Sequence, residues 1–204
     1  MSEKRPRGRP KTVDRGAAIE RALVHYWREG VHGTSLNALC RTLGLSKPSL
    51  YREFGGEDGL LEAALSAYRE HAVLPLMSFF ERDQPFTDAL AQALAFTTER
   101  AEGQPPGCLF TILREAGERV GSETWALVQR LEGERRDAFA AAYARARERG
   151  EVDAGLAPEL AGRVVDLQLH AVLLAMHAGD DPATLRAAAQ VAFRGLFADF
   201  DSCS

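Results

Sequence analysis

Two short runs of the chain, residues 35–44 and 46–55, each open on serine and close on glycine. A serine hydroxyl accepts from the free N–H groups of a helix's first turn, so it is a strong start signal. Glycine enters the left-handed conformation at little cost and is the usual stop. The spacing therefore predicts two short helices joined by a tight turn at Gly44. In the first, Ser35 caps a helix whose buried face is Leu36, Leu39, Cys40 and Leu43. In the second, Ser46 is the N-cap, Pro48 is tolerated in the first turn, and Leu45 can staple onto Leu50. A longer period precedes both. From Thr12 onward, Ile19, Ala22, Leu23, Tyr26 and Trp27 recur at helical spacing, and Gly30 supplies the stop.

The faces of the second short helix differ in chemistry. At about 100° per residue, Leu50 and Phe54 form an inward stripe, while Pro48, Ser49 and Arg52 point away and Tyr51 lies on the shoulder. An outward face of small, hydroxyl, aromatic and guanidinium groups suits the floor of a groove. Arg52 has the reach for guanine O6 and N7 or for a phosphate, and Ser49 and Tyr51 can donate to phosphate oxygens. Two short helices across a tight turn, the second capped and facing outward, make a helix-turn-helix.

Charge points the same way. Residues 1–56 hold eleven Lys and Arg against five Asp and Glu, a net of +6. The remainder holds fourteen basic against twenty-four acidic residues, a net of −10. A basic first quarter on an acidic body suggests that the first quarter meets a polyanion. The opening MSEKRPRGRPK has no apolar residue after Met1 and reads as a disordered arm. Its Arg-Gly-Arg-Pro segment suits a narrow minor groove, where negative potential attracts arginine, or a set of phosphate contacts alone.

The stretch GTSLNALCRTLGLSKPSLYREFGGEDGL, residues 33–60, resembles the DNA-binding segment of TetR-family transcriptional regulators. The shared features are the Thr-Ser opening, the glycine before the turn, Tyr-x-x-Phe in the recognition helix and an acid-Leu start to the fourth helix. The resemblance covers about residues 12–72; beyond it the chain matches only in being helical and in length. PPGCLF at 105–110 is similar to a Gly-Cys-Leu segment in one branch of the family. The resemblance implies an all-α fold: a three-helix N-terminal domain and a larger C-terminal helical domain for ligand binding and dimerisation. The expected organisation is a basic arm at 1–11, a DNA-binding domain at 12–72 with its motif at about 35–54, and a second domain at 73–204. The expected DNA contacts are Arg5, Arg7, Arg9 and Lys11 of the arm, then Thr34, Ser35, Lys47, Pro48, Ser49, Tyr51 and Arg52. The partners implied are a palindromic double-stranded operator, a second copy of the chain and a small-molecule effector. Two departures stand out. Glu57 replaces a common lysine that touches phosphate, and Glu53 replaces a common histidine and is placed to pair with an arginine. Glu57 and Asp58 favour the helix dipole but would repel a phosphate.

From about Val73 the sequence reads as helices throughout, punctuated at Pro75, Pro85, Pro105-Pro106, Gly121, Gly150 and Asp181-Pro182. Ser122 to Arg149 is long enough to span a domain. Between Leu160 and Met176, and again in the last helix, apolar residues cover more than one face, which calls for more than one burial partner. A second subunit fits, because a dimer reads two half-sites. Phe96, Cys108, Thr111, Trp125, Gln168 and His170 are candidates to line a pocket between helices, although Phe96 and Trp125 are more often core and Cys108 more often a small buried hydrophobe. Cys108 follows Gly107 near a helix start, a position open to thiol-based sensing. A thiol sensor, or a DNA-binding factor without any ligand, is the alternative to a ligand-responsive repressor.

Other classes find little support. The chain has no GxGxxG, Walker loop or GxSxG motif. Its histidines are scattered; His170 and His177 share a helix face without the partners a metal would need. No enzyme activity, cofactor or metal is expected. No apolar run approaches the roughly 18 residues of a membrane span, and the basic N-terminus lacks the apolar stretch of a secretory signal. Cys40, Cys108 and Cys203 are far apart and give no disulfide framework. A reducing cytoplasm is the expected setting.

Overall fold

The computed structural model describes residues 14–31, 35–99, 103–152 and 155–197. The described residues form ten α-helices and no strand. The first is α1 (Arg15–Glu29), whose N-cap Asp14 accepts from Ala17 N–H at 3.0 Å. Then come α2 (Leu36–Leu43) and α3 (Lys47–Phe54), capped by Ser35 and Ser46 through the amides of Ala38 and Ser49. Gly44 turns the chain between them in the left-handed conformation, at φ 67°. Both short helices thus lie where the serine–glycine spacing predicts. The basic arm lies outside the described residues, as does Thr34.

The fourth helix, α4 (Glu57–Tyr68), continues through a π turn at 69–73 into α5 (Leu74–Glu81). Pro75, expected to punctuate the chain, instead sits in the first turn of α5, the part of a helix that tolerates proline best. The widened turn before it lets the rod run on rather than stop. The body follows as α6 (Phe86–Thr98), α7 (Leu109–Ala116), α8 (Ser122–Glu148), α9 (Pro158–Ala178) and α10 (Pro182–Phe193).

Two buried clusters hold these helices together. One joins Ala22, Leu23 and Tyr26 of α1, Leu39 and Leu43 of α2, and Leu50 and Phe54 of α3 to Leu60, Leu61 and Leu65 of α4. It extends through Leu109, Phe110 and Leu113 of α7 to Leu127, Val128 and Leu131 of α8. The other packs Phe80, Phe86, Leu94, Phe139, Tyr143, Val165, Leu169 and Phe193 in the far half of the body. The helix-turn-helix is therefore not a bead on a tether. Its core is continuous with the near half of the body through α4.

Candidate nucleic-acid interface and cavity

The faces of α3 separate as the periodicity predicts. Leu50 is 0% exposed and Phe54 is 8%, whereas Tyr51 is 56% exposed. Lys47, Pro48 and Arg52 are also exposed, and Ser49 is half-buried. The Ser49 hydroxyl lies 2.9 Å from the Ser46 hydroxyl, so it helps to brace the helix start as well as facing outward. Glu53 finds its arginine next door: Arg52 Nε donates to Glu53 Oε1 at 2.9 Å. With Arg52 largely exposed, that pair is weak and can open to a phosphate or a base. Ser35 serves as the α2 cap, through its hydroxyl and the Ala38 amide at 3.3 Å. The hairpin is fixed to α1 by Arg21, which donates to the Leu43 carbonyl at 3.0 Å, and by Arg15, whose guanidinium stacks 5.0 Å from the Phe54 ring centre.

Behind this surface lies a cavity of about 400 Å³. Its wall is pooled from both parts of the chain. Trp27 comes from α1, Tyr68 from α4, His71 from the π turn, Phe96 from α6, and Cys108 and Phe110 from the start of α7. Arg135 of α8 and Leu173 and Met176 of α9 complete it. Of the residues singled out from sequence, Phe96 and Cys108 stand on this wall. Thr111 is buried away from it, Trp125 packs half-buried against the first cluster, and Gln168 is half-buried on α9. His170 pairs instead with Glu115, Nε2 to Oε1 at 2.8 Å.

Sequence reasoning missed Trp27, Tyr68 and Arg135 as wall residues, because each also serves a helix face that reads as core or solvent. Trp27 meets Tyr68 edge-to-face at 5.0 Å between ring centres. Burial pushes the Tyr68 phenol well above its ordinary range, and the adjacent Cys108 thiol, within hydrogen-bond reach, raises it further. Arg135, only 2% exposed, pairs with Asp166 Oδ1 at 2.9 Å and lies over the Phe110 ring at 4.9 Å. Asp166 is shared with Arg114 at 3.1 Å, and Arg114 pairs in turn with Glu132 at 2.6 Å. Two cations and two anions thus cancel inside the body and tie α7, α8 and α9 together.

A third surface is apolar. Leu160, Leu167 and Leu174, seven residues apart on α9, are 54%, 48% and 42% exposed, and Val191 of α10 is 61% exposed. Seven residues is about two helical turns, so the three leucines form one stripe. Among the described residues no group of His, Cys, Asp and Glu could hold a metal ion. No described helix is long and apolar enough to cross a membrane.

The family model for bacterial regulatory proteins of the tetR family matches residues 18–64. The HTH-type transcriptional repressor ComR of Escherichia coli (strain K12) is 34% identical over 108 residues, 52% of this chain and 51% of ComR. BdcR, another HTH-type transcriptional repressor of Escherichia coli (strain K12), is 30% identical over 104 residues, 50% of this chain and 53% of BdcR. The chain spans about half the length of these curated relatives. A cysteine mutant of the TetR family regulator CifR, solved with a 26-bp double-strand operator DNA, superposes with TM-score 0.78. It is 25% identical, and the match covers 93% of this chain and 100% of that one. The motif, its sequence relatives and the arrangement of both helical parts agree in supporting a TetR family transcriptional regulator.

Proposed function

We propose that the chain is a homodimeric repressor, not an enzyme, that binds a palindromic double-stranded operator through α3 and is released by a small-molecule effector. The observation that carries the reading is the division of α3. Leu50 and Phe54 are sealed into the core, while Tyr51, Arg52, Lys47 and Pro48 form an outward face that no described helix covers. That face is built to lie against something outside the protein, and the basic arm is built for a polyanion. The named repressors among its relatives, and the operator bound by CifR, support repression and DNA as partner. The leucine stripe of α9, with Val191, supports a second copy of the chain as its cover.

The cavity supports the effector. Its volume is in the range of small-molecule sites, its wall is mainly aromatic and aliphatic, and it touches α1 and α4 as well as the body. A ligand that fits better when those helices shift would favour a state whose recognition helices no longer match the half-site spacing. Linkage then requires DNA to weaken the ligand by the same factor. A second reading rests on Cys108, which stands on this wall beside Tyr68. In that reading the effector modifies the thiol, and a Cys108→Ser variant would keep DNA affinity but lose release by N-ethylmaleimide.

Selection of bound sequences from a random duplex pool, followed by a screen for compounds that release the selected duplex, tests the proposal. A two-fold symmetric sequence held by two chains and freed by a reversible compound is the expected result. Failure to enrich any sequence would overturn it, and binding that no compound reverses would leave a factor without an effector.

A further inference from the structure

The first turn of α4 joins two helices that are far apart in sequence. The start of α8 has no cap of its own: Gly121 occupies the N-cap position and offers no side-chain acceptor. Asp58 supplies the acceptor from α4. Its Oδ2 accepts from the Glu123 N–H at 3.0 Å, and its Oδ1 accepts from the Thr124 N–H at 3.1 Å. The Thr124 hydroxyl donates to the same Oδ1 at 2.6 Å and lies 3.2 Å from the Asp58 carbonyl oxygen. Thr124 is 0% exposed. A carboxylate at this point answers both the unpaired amides and the positive end of the helix dipole. The fit is close enough that a Cβ on Gly121 would overlap the Asp58 carboxylate.

The neighbouring residue faces the recognition helix. A Cβ on Gly59 would overlap the main-chain carbonyl of Phe54, the last residue of α3. Hence Asp58 grips α8 while Gly59 lets α4 butt against the end of α3. From Thr124 to Arg135 is eleven residues, about 16 Å along the helix at 1.5 Å per residue. One rigid helix thus runs from this junction to the cavity wall. Through the Arg135–Asp166 pair it also holds α9, which bears the exposed leucine stripe.

We infer that Asp58 is a positioning residue. Its cap on α8 fixes where each recognition helix sits relative to the body and so sets the half-site spacing that the dimer accepts. Two recognition helices can match a fixed spacing only if each is held rigidly to the dimer contact. The hydrophobic packing that holds Leu61 and Leu65 of α4 and Leu127 and Leu131 of α8 in one cluster is non-directional and tolerates sliding. The Asp58 bonds are directional and do not. This inference rests on the proposal that the chain is a dimeric DNA reader.

The test uses the full chain and a pool in which two copies of the selected half-site are separated by every spacing from zero to about ten base pairs, one helical turn of DNA. Wild type, Asp58→Asn, Thr124→Val and the conservative Thr124→Ser are compared, with circular dichroism and a melt for each. Wild type and Thr124→Ser are expected to enrich one spacing. Asp58→Asn and Thr124→Val are expected to lower the preference for that spacing over its neighbours by about tenfold, while affinity for a single half-site is unchanged. A merely structural role would lower the melting temperature and leave the spacing preference intact. Undiminished preference in the two folded variants overturns the inference, and if Asp58→Asn does not fold, Thr124→Val decides alone. If wild type enriches no paired half-sites, the dimeric reading itself fails, a result distinct from a wild type that selects and variants that select alike.

Discussion

Replacing Leu50 and Tyr51, adjacent residues on the same helix, should separate stability from binding. Leu50 is 0% exposed in a cluster with Leu39, Leu43 and Leu60, so Leu50→Ala removes a fully enclosed side chain. The loss combines transfer free energy with a residual cavity, about 2–5 kcal/mol in total. Tyr51 is 56% exposed, with its ring edge near Gly56. Tyr51→Ala should therefore change stability by only about 0.5 kcal/mol. For a chain of this length 1 kcal/mol moves the melting temperature by about 2–4 °C. Leu50→Ala should thus melt about 4–20 °C below wild type, taking both ranges to their limits. Because the Leu50 cluster reaches only the near half of the body, the variant's melt should also broaden or split as that half unfolds first. Differential scanning calorimetry on wild type and the two variants measures this. Equal destabilisation by both changes would refute the assignment of faces on α3.

Glu57→Lys should raise DNA affinity and steepen its salt dependence, because it changes the charge at the start of α4 by two units per chain; a titration at two salt concentrations reads both. Partial burial holds the Glu57 carboxyl above its usual value of 4.5, opposed by His25. The folded chain therefore binds more protons there than the unfolded chain, and the contribution of Glu57 to stability falls as pH rises through and above that range. Glu57→Gln should flatten that decline in melts taken from about pH 4 to pH 7, a window around the ordinary carboxyl value. Deleting residues 1–11 should weaken DNA binding and reduce the salt slope while leaving the helical circular dichroism nearly unchanged. Changing Leu167 and Leu174 together to glutamate should yield monomers in sedimentation, with helix content retained.

The parts of the fold legible in sequence are those governed by local chemistry. Ser35, Ser46 and Gly44 mark the helix boundaries because each acts within one turn of its own position. The Leu50–Phe54 stripe follows from helical period alone. Pro75 misleads because a π turn, which no local pattern announces, carries the rod past it. Asp58 reads locally as an acid that favours a helix dipole and repels phosphate, yet its carboxylate is taken up by amides 65 and 66 residues away. The cavity is hidden for the same reason. Trp27, Tyr68, Cys108 and Arg135 come from four helices, or from the residue that starts one, and only packing brings them together.

Whether the outward face of α3 meets DNA is tested most directly by fluorescence anisotropy of a selected duplex against salt. Wild-type affinity should fall linearly on a log–log scale between about 50 and 200 mM salt, as phosphate contacts release counterions. At concentrations that saturate wild type, Tyr51→Ala and Arg52→Ala should show no detectable binding while melting as wild type does. A flat salt response, or full binding by both variants, would contradict the account.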